Sequence, residues 1–108
     1  MSRTTIEVPM KTNNVNSVLE IISADLSPEK YSRKIVDGES VWAKGDAVII
    51  KMQCFSAAFT GSSVLIQAWL KDALTGESDL NGFFGWIPKK RMKKHLENIK
   101  TEILLKNI

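Results

Sequence analysis

Three turn signals between residues 31 and 71 constrain the fold of this chain more than any other feature. Asp37-Gly38, Gly45-Asp46 and residues 60–62 (TGS) separate stretches that are rich in β-branched and aromatic side chains. A two-residue hairpin turn needs positive φ at both central positions, and an Asp-Gly pair tolerates this. The segment therefore predicts an antiparallel meander with strands over residues 31–36, 40–44, 47–59 and 63–71.

The residues before the meander predict one strand and one helix. Residues 3–10 alternate between apolar and polar side chains, which indicates a half-buried strand, and Pro9 indicates that this strand lies at a sheet edge or ends there. Apolar residues at helical spacing over 13–26 indicate a helix, which a Thr or Asn at positions 12–14 can cap. Ser27-Pro28 then provides the start signal of a short helical turn.

The residues after the meander predict a loop, a short strand and a long helix. Residues 75–77 (TGE) are typical of a loop, and residues 79–84 are compatible with a last short strand. Pro88 is tolerated in the first turn of a helix. After it, apolar residues recur at steps of three and four, at Met92, Leu96, Ile99 and Ile103. A helix of about 20 residues would be about 30 Å long.

These elements together predict the α+β class, with a single domain over residues 1–108. The expected order is β-α-β(4–5)-α, a curved antiparallel sheet with a long C-terminal helix packed on one face. The first helix is expected to cover the same face. This order resembles the helix-grip and TATA-binding-protein-like folds.

The long strands of the meander carry apolar side chains on both faces of the predicted sheet. The even positions from 48 to 54 and from 64 to 70 are predicted to face the helices. Phe55, Phe59, Leu65 and Trp69 are then predicted on the opposite face, called the second face below. An apolar second face predicts a homodimer or another protein partner. A strongly curved sheet would instead make it a pocket for a small apolar ligand, and a loop packed on it would make it core.

Positive charge is concentrated at the predicted C-terminal helix. Residues 89–108 contain seven basic and two acidic side chains, and five of the basic ones crowd the start of the helix: Lys89, Lys90, Arg91, Lys93 and Lys94. The helix macrodipole disfavours cations at that end. The cluster therefore predicts an anionic partner, either nucleic acid, anionic lipid or an acidic protein surface. The alternative is a solvated face that binds nothing.

Catalytic and metal-binding patterns are weak in this sequence. Its one Cys and one His, Cys54 and His95, cannot form a disulfide or a zinc cluster, and we expect Cys54 to be a small buried side chain. Glu77 and Asp79 could bind a cation, act as an acid/base couple or pair with nearby lysines. Residues 82–85 (GFFG) match no phosphate-binding loop, although an anion could lie between them and the helix start. We therefore expect no catalytic activity, cofactor or metal.

Compartment and membrane signals are also limited. A single cysteine and the lack of an apolar run near residue 1 predict a reducing, cytoplasmic location. Every apolar stretch is far shorter than the roughly 20 residues that a membrane-spanning helix requires, so no transmembrane segment is expected.

Three segments resemble motifs of a family of small uncharacterised bacterial domains. They are residues 38–46 (GESVWAKGD), 64–70 (VLIQAWL) and 77–85 (ESDLNGFFG), the last followed after three residues by Lys89-Lys90. The resemblance covers about residues 15–105. Some members of that family continue into zinc-ribbon or membrane segments, which are not among these 108 residues. The family has no established activity, so the resemblance implies none here.

The sequence as a whole predicts a non-enzymatic binding or interaction domain. The first hypothesis is that it works through the second face or a pocket beneath it, as a homodimer or with a protein partner. The alternative is an anionic-surface binder that uses the basic helix to contact membrane lipid or nucleic acid. The sequence contains no RNA-recognition motif, helix-turn-helix or zinc finger that would favour nucleic acid.

Overall fold

A six-stranded antiparallel sheet forms the centre of the computed structural model, which describes residues 3–45, 51–73, 76–81 and 86–108. A short 3-10 helix over Ser27–Glu29 follows the first α-helix. The elements in chain order are β1 (Thr4–Pro9), α1 (Val15–Leu26), β2 (Ser32–Val36), β3 (Glu39–Lys44), β4 (Met52–Phe59), β5 (Ser63–Asp72), β6 (Gly76–Ser78) and α2 (Trp86–Leu105). The predicted α+β class and the order β-α-β(5)-α are confirmed.

The strands pair in the order β1-β5-β4-β3-β2. One edge of β5 pairs with β4, while β1 and β6 share the other edge and pair with successive parts of it. The hairpin between β2 and β3 turns at Asp37 and Gly38, whose φ angles are 52° and 82°. This is the two-residue turn that the sequence predicts, since both central residues adopt the left-handed region.

The last strand differs from its prediction. Residues 76–78 form β6, although residues 75–77 were expected to be a loop, and the expected strand over 79–84 is absent at residues 79–81. Gly-Glu-Ser has low β-propensity, so only the pairing with the end of β5 makes it a strand. Residues 82–85 lie outside the described ranges, as do Val48 and Ile50.

Helix α1 begins after Asn14, whose Oδ1 accepts a hydrogen bond of 3.1 Å from the backbone N of Ser17. Such a side-chain acceptor satisfies one of the free N–H groups of the first turn. The helix buries Val18, Ile22 and Leu26 as expected, and Ile21 as well. Val15, at the first position of the helix, is instead exposed.

Helix α2 packs beside α1 on the same face of the sheet. Its predicted apolar stripe is fully buried, and it joins the side chains of α1 and of the even positions 64–70 of β5 in one core. Burying an apolar side chain of this size contributes roughly 1.5 to 3 kcal/mol. Within the described residues, no helix is long and apolar enough to cross a membrane.

Candidate functional site

The register of β4 against β5 assigns side chains to the two faces of the sheet. Phe55 lies opposite Ala68, and Cys54 lies opposite Trp69. Phe55 and Phe59 therefore pack toward the helices, where Phe55 is fully buried, while Cys54 joins Trp69 on the second face. The predicted placement of Phe55 and Phe59 on the second face is wrong, and so is the placement of Cys54 on the helix face.

The physical reason is that β4 is apolar on both sides. Alternation then fits either orientation of the strand, and only the pairing with β5 selects one. Leu65 and Trp69 do lie on the second face, as predicted. Trp69 is only 1% exposed, and Leu65 is half-buried.

Arg3 covers Trp69 on the second face. Its Cζ lies 3.6 Å from the centroid of the indole ring. Nε and Nη2 of Arg3 each donate a hydrogen bond of 2.8 Å to Glu77, and Nη1 and Nη2 donate to Glu39 at 3.0 and 2.9 Å. Nη1 also donates to Oε1 of Gln67 at 3.1 Å. A cation stacked on the ring and held by two carboxylates closes the centre of this face to a flat apolar partner.

The Arg3 contacts change the ionisation of their partners. The pKa of Glu77 is lowered, first because Arg3 donates hydrogen bonds to its carboxylate, although burial acts in the opposite direction. The pKa of Arg3 is raised, chiefly by the same hydrogen bonds to Glu77. Glu77 therefore pairs with Arg3 rather than with Lys89 or Lys90. Its carboxylate has a structural role in this ion pair.

Cys54 is fully buried beside Val41, Ala43 and Trp69. Burial raises the pKa of its thiol to about 12, so the thiol is protonated at neutral pH and is a poor nucleophile. The sheet separates it from His95, which packs edge-on against Phe55 on the helix side. A Cys54–His95 couple is therefore absent.

The five predicted cations of α2 separate into one buried side chain and four exposed ones. Lys89 is buried, and its Nζ donates a hydrogen bond of 2.6 Å to the backbone oxygen of Asn81. Its prediction as an anion-binding residue is wrong, because a lysine at this position of the helix faces the core and binds a loop carbonyl. The other four are exposed and are called the basic face below: Lys90, Arg91, Lys93 and Lys94.

His95 lies between two carboxylates where α1 ends. Its Nδ1 is 2.6 Å from Oδ2 of Asp25, and its Nε2 is 2.6 Å from Oε2 of Glu29. A neutral imidazole carries one N–H, so contacts of this length on both nitrogens require a proton on each. The ring is therefore an imidazolium, with only 10% of its side chain exposed. Both nitrogens are occupied, which leaves none free to act as a base.

Glu29 lies in a positive environment. Its pKa is lowered, first by the hydrogen bond from His95 and further by the charges of Lys44 and Arg91. Sequence reasoning missed this cluster, since Asp25 and Glu29 are 70 and 66 residues from His95. The one signal was the position of His95 at the margin of the apolar stripe.

A cleft of about 670 Å³ adjoins this cluster, between the end of α1 and the first half of α2. It is called the helix cleft below, and it is lined by Ala24, Asp25, Pro28, Glu29, Arg91, Lys94, His95 and Asn98. Within the ranges that the structure describes, no three His, Cys, Asp or Glu side chains are arranged to hold a metal ion. Asp25 and Glu29 contact different nitrogens of the ring, so their oxygens do not converge with it on one point.

Comparison with protein families, with curated proteins and with solved structures finds no match to this chain. The resemblance of residues 38–46, 64–70 and 77–85 to small bacterial domains therefore stays a prediction.

Proposed function

We propose that this protein is a non-enzymatic binding domain whose basic face contacts the phosphate backbone of a nucleic acid. The observation that supports this most is the exposure of the four cations and their lack of salt bridges to described residues. Lys90, Arg91, Lys93 and Lys94 are exposed, and among the described residues none of them forms a salt bridge. Exposed, unpaired cations lose little solvation when they approach phosphates, and they release the counterions bound there.

The basic face is unfavourable for the isolated fold. α2 begins at Trp86, so the four cations lie beyond its first turn, outside the reach of the macrodipole. Lys90 and Lys94 are, however, four residues apart on the same helix, a spacing at which like charges repel by a few tenths of a kcal/mol. A polyanion would remove this repulsion, so a role in binding accounts for a charge pattern that folding alone disfavours.

Nucleic acid is favoured over a membrane because the exposed apolar side chains described on α2 are distant from the basic face. Among the side chains of α2 that the structure describes, the exposed apolar ones are Leu104 and Leu105, which follow Lys93 by 11 and 12 residues, or about 16 to 18 Å along the helix. An interfacial helix needs its apolar side chains beside its cations, in contact with the lipid. The apolar stripe of α2 cannot serve, since it is buried against the sheet.

The second face supports an alternative proposal less strongly. A homodimer or protein partner there would need exposed apolar area, but Arg3 and its carboxylates cover Trp69, and Phe55 and Phe59 face the helices. Half-buried Leu65 remains. A dimer at this face would be detected as a change in sedimentation with concentration, which Leu65→Glu should abolish.

The proposal is tested by the fluorescence anisotropy of a short labelled DNA duplex. Four phosphate contacts give a slope of about −3.6 in log K against log salt, so affinity should fall about a hundredfold between about 50 and about 200 mM salt. Lys90→Glu combined with Lys93→Glu should abolish binding at the lower concentration. Lys30→Glu combined with Lys34→Glu makes the same charge change at two exposed lysines outside α2 and should weaken binding only slightly.

Circular dichroism verifies that both double Lys→Glu variants remain folded. Binding that is absent, independent of salt, or equally weakened by both double substitutions would contradict the proposal. Salt-sensitive binding to phosphatidylserine vesicles without binding to DNA would replace it with the membrane alternative.

A further inference from the structure

The helix cleft brings together three cationic groups from one helix. His95 contributes to its lining as a largely buried imidazolium, and Arg91 and Lys94 line it from the exposed side. Among the described residues, Arg91 and Lys94 form no salt bridge. A planar guanidinium, an ammonium and an imidazolium N–H together form a donor set suited to a phosphate group.

The Glu29 carboxylate already occupies the place of an anion in this cleft. Its Oε2 is 2.6 Å from Nε2 of His95, while 45% of its side chain remains exposed. His95 is the one hydrogen-bond partner of this carboxylate among the described residues. Glu29 can therefore rotate toward solvent without breaking another side-chain hydrogen bond. Asp25 holds Nδ1 on the other side of the ring, so the imidazolium keeps its orientation when Glu29 leaves.

We propose that the helix cleft binds a small organic phosphate whose oxygens replace the Glu29 carboxylate at Nε2 of His95. Arg91 and Lys94 then neutralise the remaining negative charge. Glu29 acts as a resident counter-ion that keeps the imidazolium paired when no ligand is bound. This inference shares Arg91 and Lys94 with the basic face, but His95 and Glu29 are not part of that face, so the two proposals are tested with different residues.

The space beside His95 indicates the kind of molecule that carries the phosphate. The helix cleft continues past Asn98 into a second cavity of about 450 Å³ between the same two helices. That cavity is lined by Ile21, Ala24, Asn98 and Thr101 and by the charged side chains of Asp25, Glu102 and Lys106. Volumes of this size are typical of small-molecule sites. The carboxylates of Asp25 and Glu102 would repel a second anionic group, so a compact, polar, uncharged body fits this lining better.

The experiment uses the single histidine of the chain as its own reporter. The Hε1 resonance of His95 is followed by NMR while inorganic phosphate or glycerol 3-phosphate is added, with chloride at matched ionic strength as the blank. We expect a saturable shift with both phosphates, at lower concentrations for glycerol 3-phosphate. Equal concentrations for the two would assign the cleft to free phosphate instead of an ester.

Variants then identify the residues that bind. Glu29→Gln removes the resident charge at an exposed position, so it should tighten phosphate binding about tenfold, because the competing closed state is lost. Arg91→Gln should weaken binding about tenfold, whereas Lys90→Gln, the same charge loss at a residue that does not line the cleft, should leave it unchanged.

Two results would overturn the inference. One is a Glu29→Gln protein whose His95 resonance does not respond to phosphate at any concentration, and the other is an equal effect of Arg91→Gln and Lys90→Gln. Neither result bears on nucleic-acid binding, which is measured separately with Lys90→Glu and Lys93→Glu. Failure of one proposal is therefore distinguishable from failure of the other.

Discussion

The guanidinium of Arg3 lies over the indole of Trp69, 3.6 Å from Cζ to the ring centroid. Trp69 lies in β5, and Arg3 precedes β1 by one position. Glu39 and Glu77 fix the cation from β3 and β6. A side chain near the start of the chain thus closes the sheet face that lies opposite both helices, and it links three strands through charge-assisted hydrogen bonds.

Removing this cation should destabilise the fold measurably. Arg3→Gln loses the stacking on Trp69 and the paired hydrogen bonds to both carboxylates, so we expect a loss of about 2 kcal/mol in the free energy of unfolding. Urea denaturation followed by tryptophan fluorescence measures it. Arg33→Gln is the matched control, because Arg33 stacks on Trp42 at 3.9 Å but is exposed. Its loss should be about 0.5 kcal/mol, and equal losses would contradict the role assigned to the carboxylates.

The Arg3–Glu77 pair should make stability depend on pH in the acid range. The pKa of Glu77 is lowered in the folded state because Arg3 donates to it. Its stabilising contribution is therefore complete above the unfolded value of about 4.3 and is lost as the pH falls through the lower folded value. Glu77→Gln should be less stable than the wild type at neutral pH and equally stable in strong acid.

The control for this pH dependence is Glu102→Gln. Glu102 is half-exposed, and its Oε2 lies 3.5 Å from Nζ of Lys106. Lys106 follows it by four residues, directly after the end of α2. Such surface pairs contribute little. The stability of this variant should follow the wild-type curve throughout. A difference between Glu77→Gln and the wild type that persists unchanged in strong acid would argue against the ion pair.

Lys89 and Lys90 should have opposite roles although they are neighbours. Lys89→Met keeps the apolar stem but leaves the Asn81 carbonyl without its described partner, so we expect a loss of about 1 to 2 kcal/mol of stability and unchanged DNA affinity. Lys90→Met should leave stability nearly unchanged and weaken DNA binding severalfold. Thermal unfolding and anisotropy on both variants check this, and reversed effects would place Lys89 at the binding surface.

The turn after β3 should tolerate no side chain at Gly45. Its φ is +96°, and a Cβ there would lie 2.8 Å from the backbone oxygen of Lys51. Gly45→Ala should therefore cost about 2 to 3 kcal/mol, from backbone strain and the clash together. Gly61 has a similar φ of +94° with nothing within 4 Å, so Gly61→Ala should cost only about 1 kcal/mol. Similar values from urea denaturation would remove the clash as a cause.

The predictions that succeeded rest on local patterns. The stripe of α2 from Met92 to Ile103, the Asn14 cap and the Asp37-Gly38 turn each follow from residues a few positions apart. The assignment of the β4 side chains to the two faces of the sheet failed because no local pattern distinguishes those faces. The β4 side chains are apolar on both faces, and residues 47–50 of the predicted strand lie outside the described residues.

The sequence by itself determined the α+β class, the order of the elements and the buried face of each helix. Periodicity and turn chemistry are properties of neighbouring residues, so they persist whatever the rest of the chain does. Only the tertiary structure decided which ions meet. Arg3 and Glu77 are 74 residues apart, and His95 and Asp25 are 70 apart. The partner of a charged side chain cannot be predicted from periodicity, because the pairing depends on strand register and helix packing rather than on spacing in the sequence.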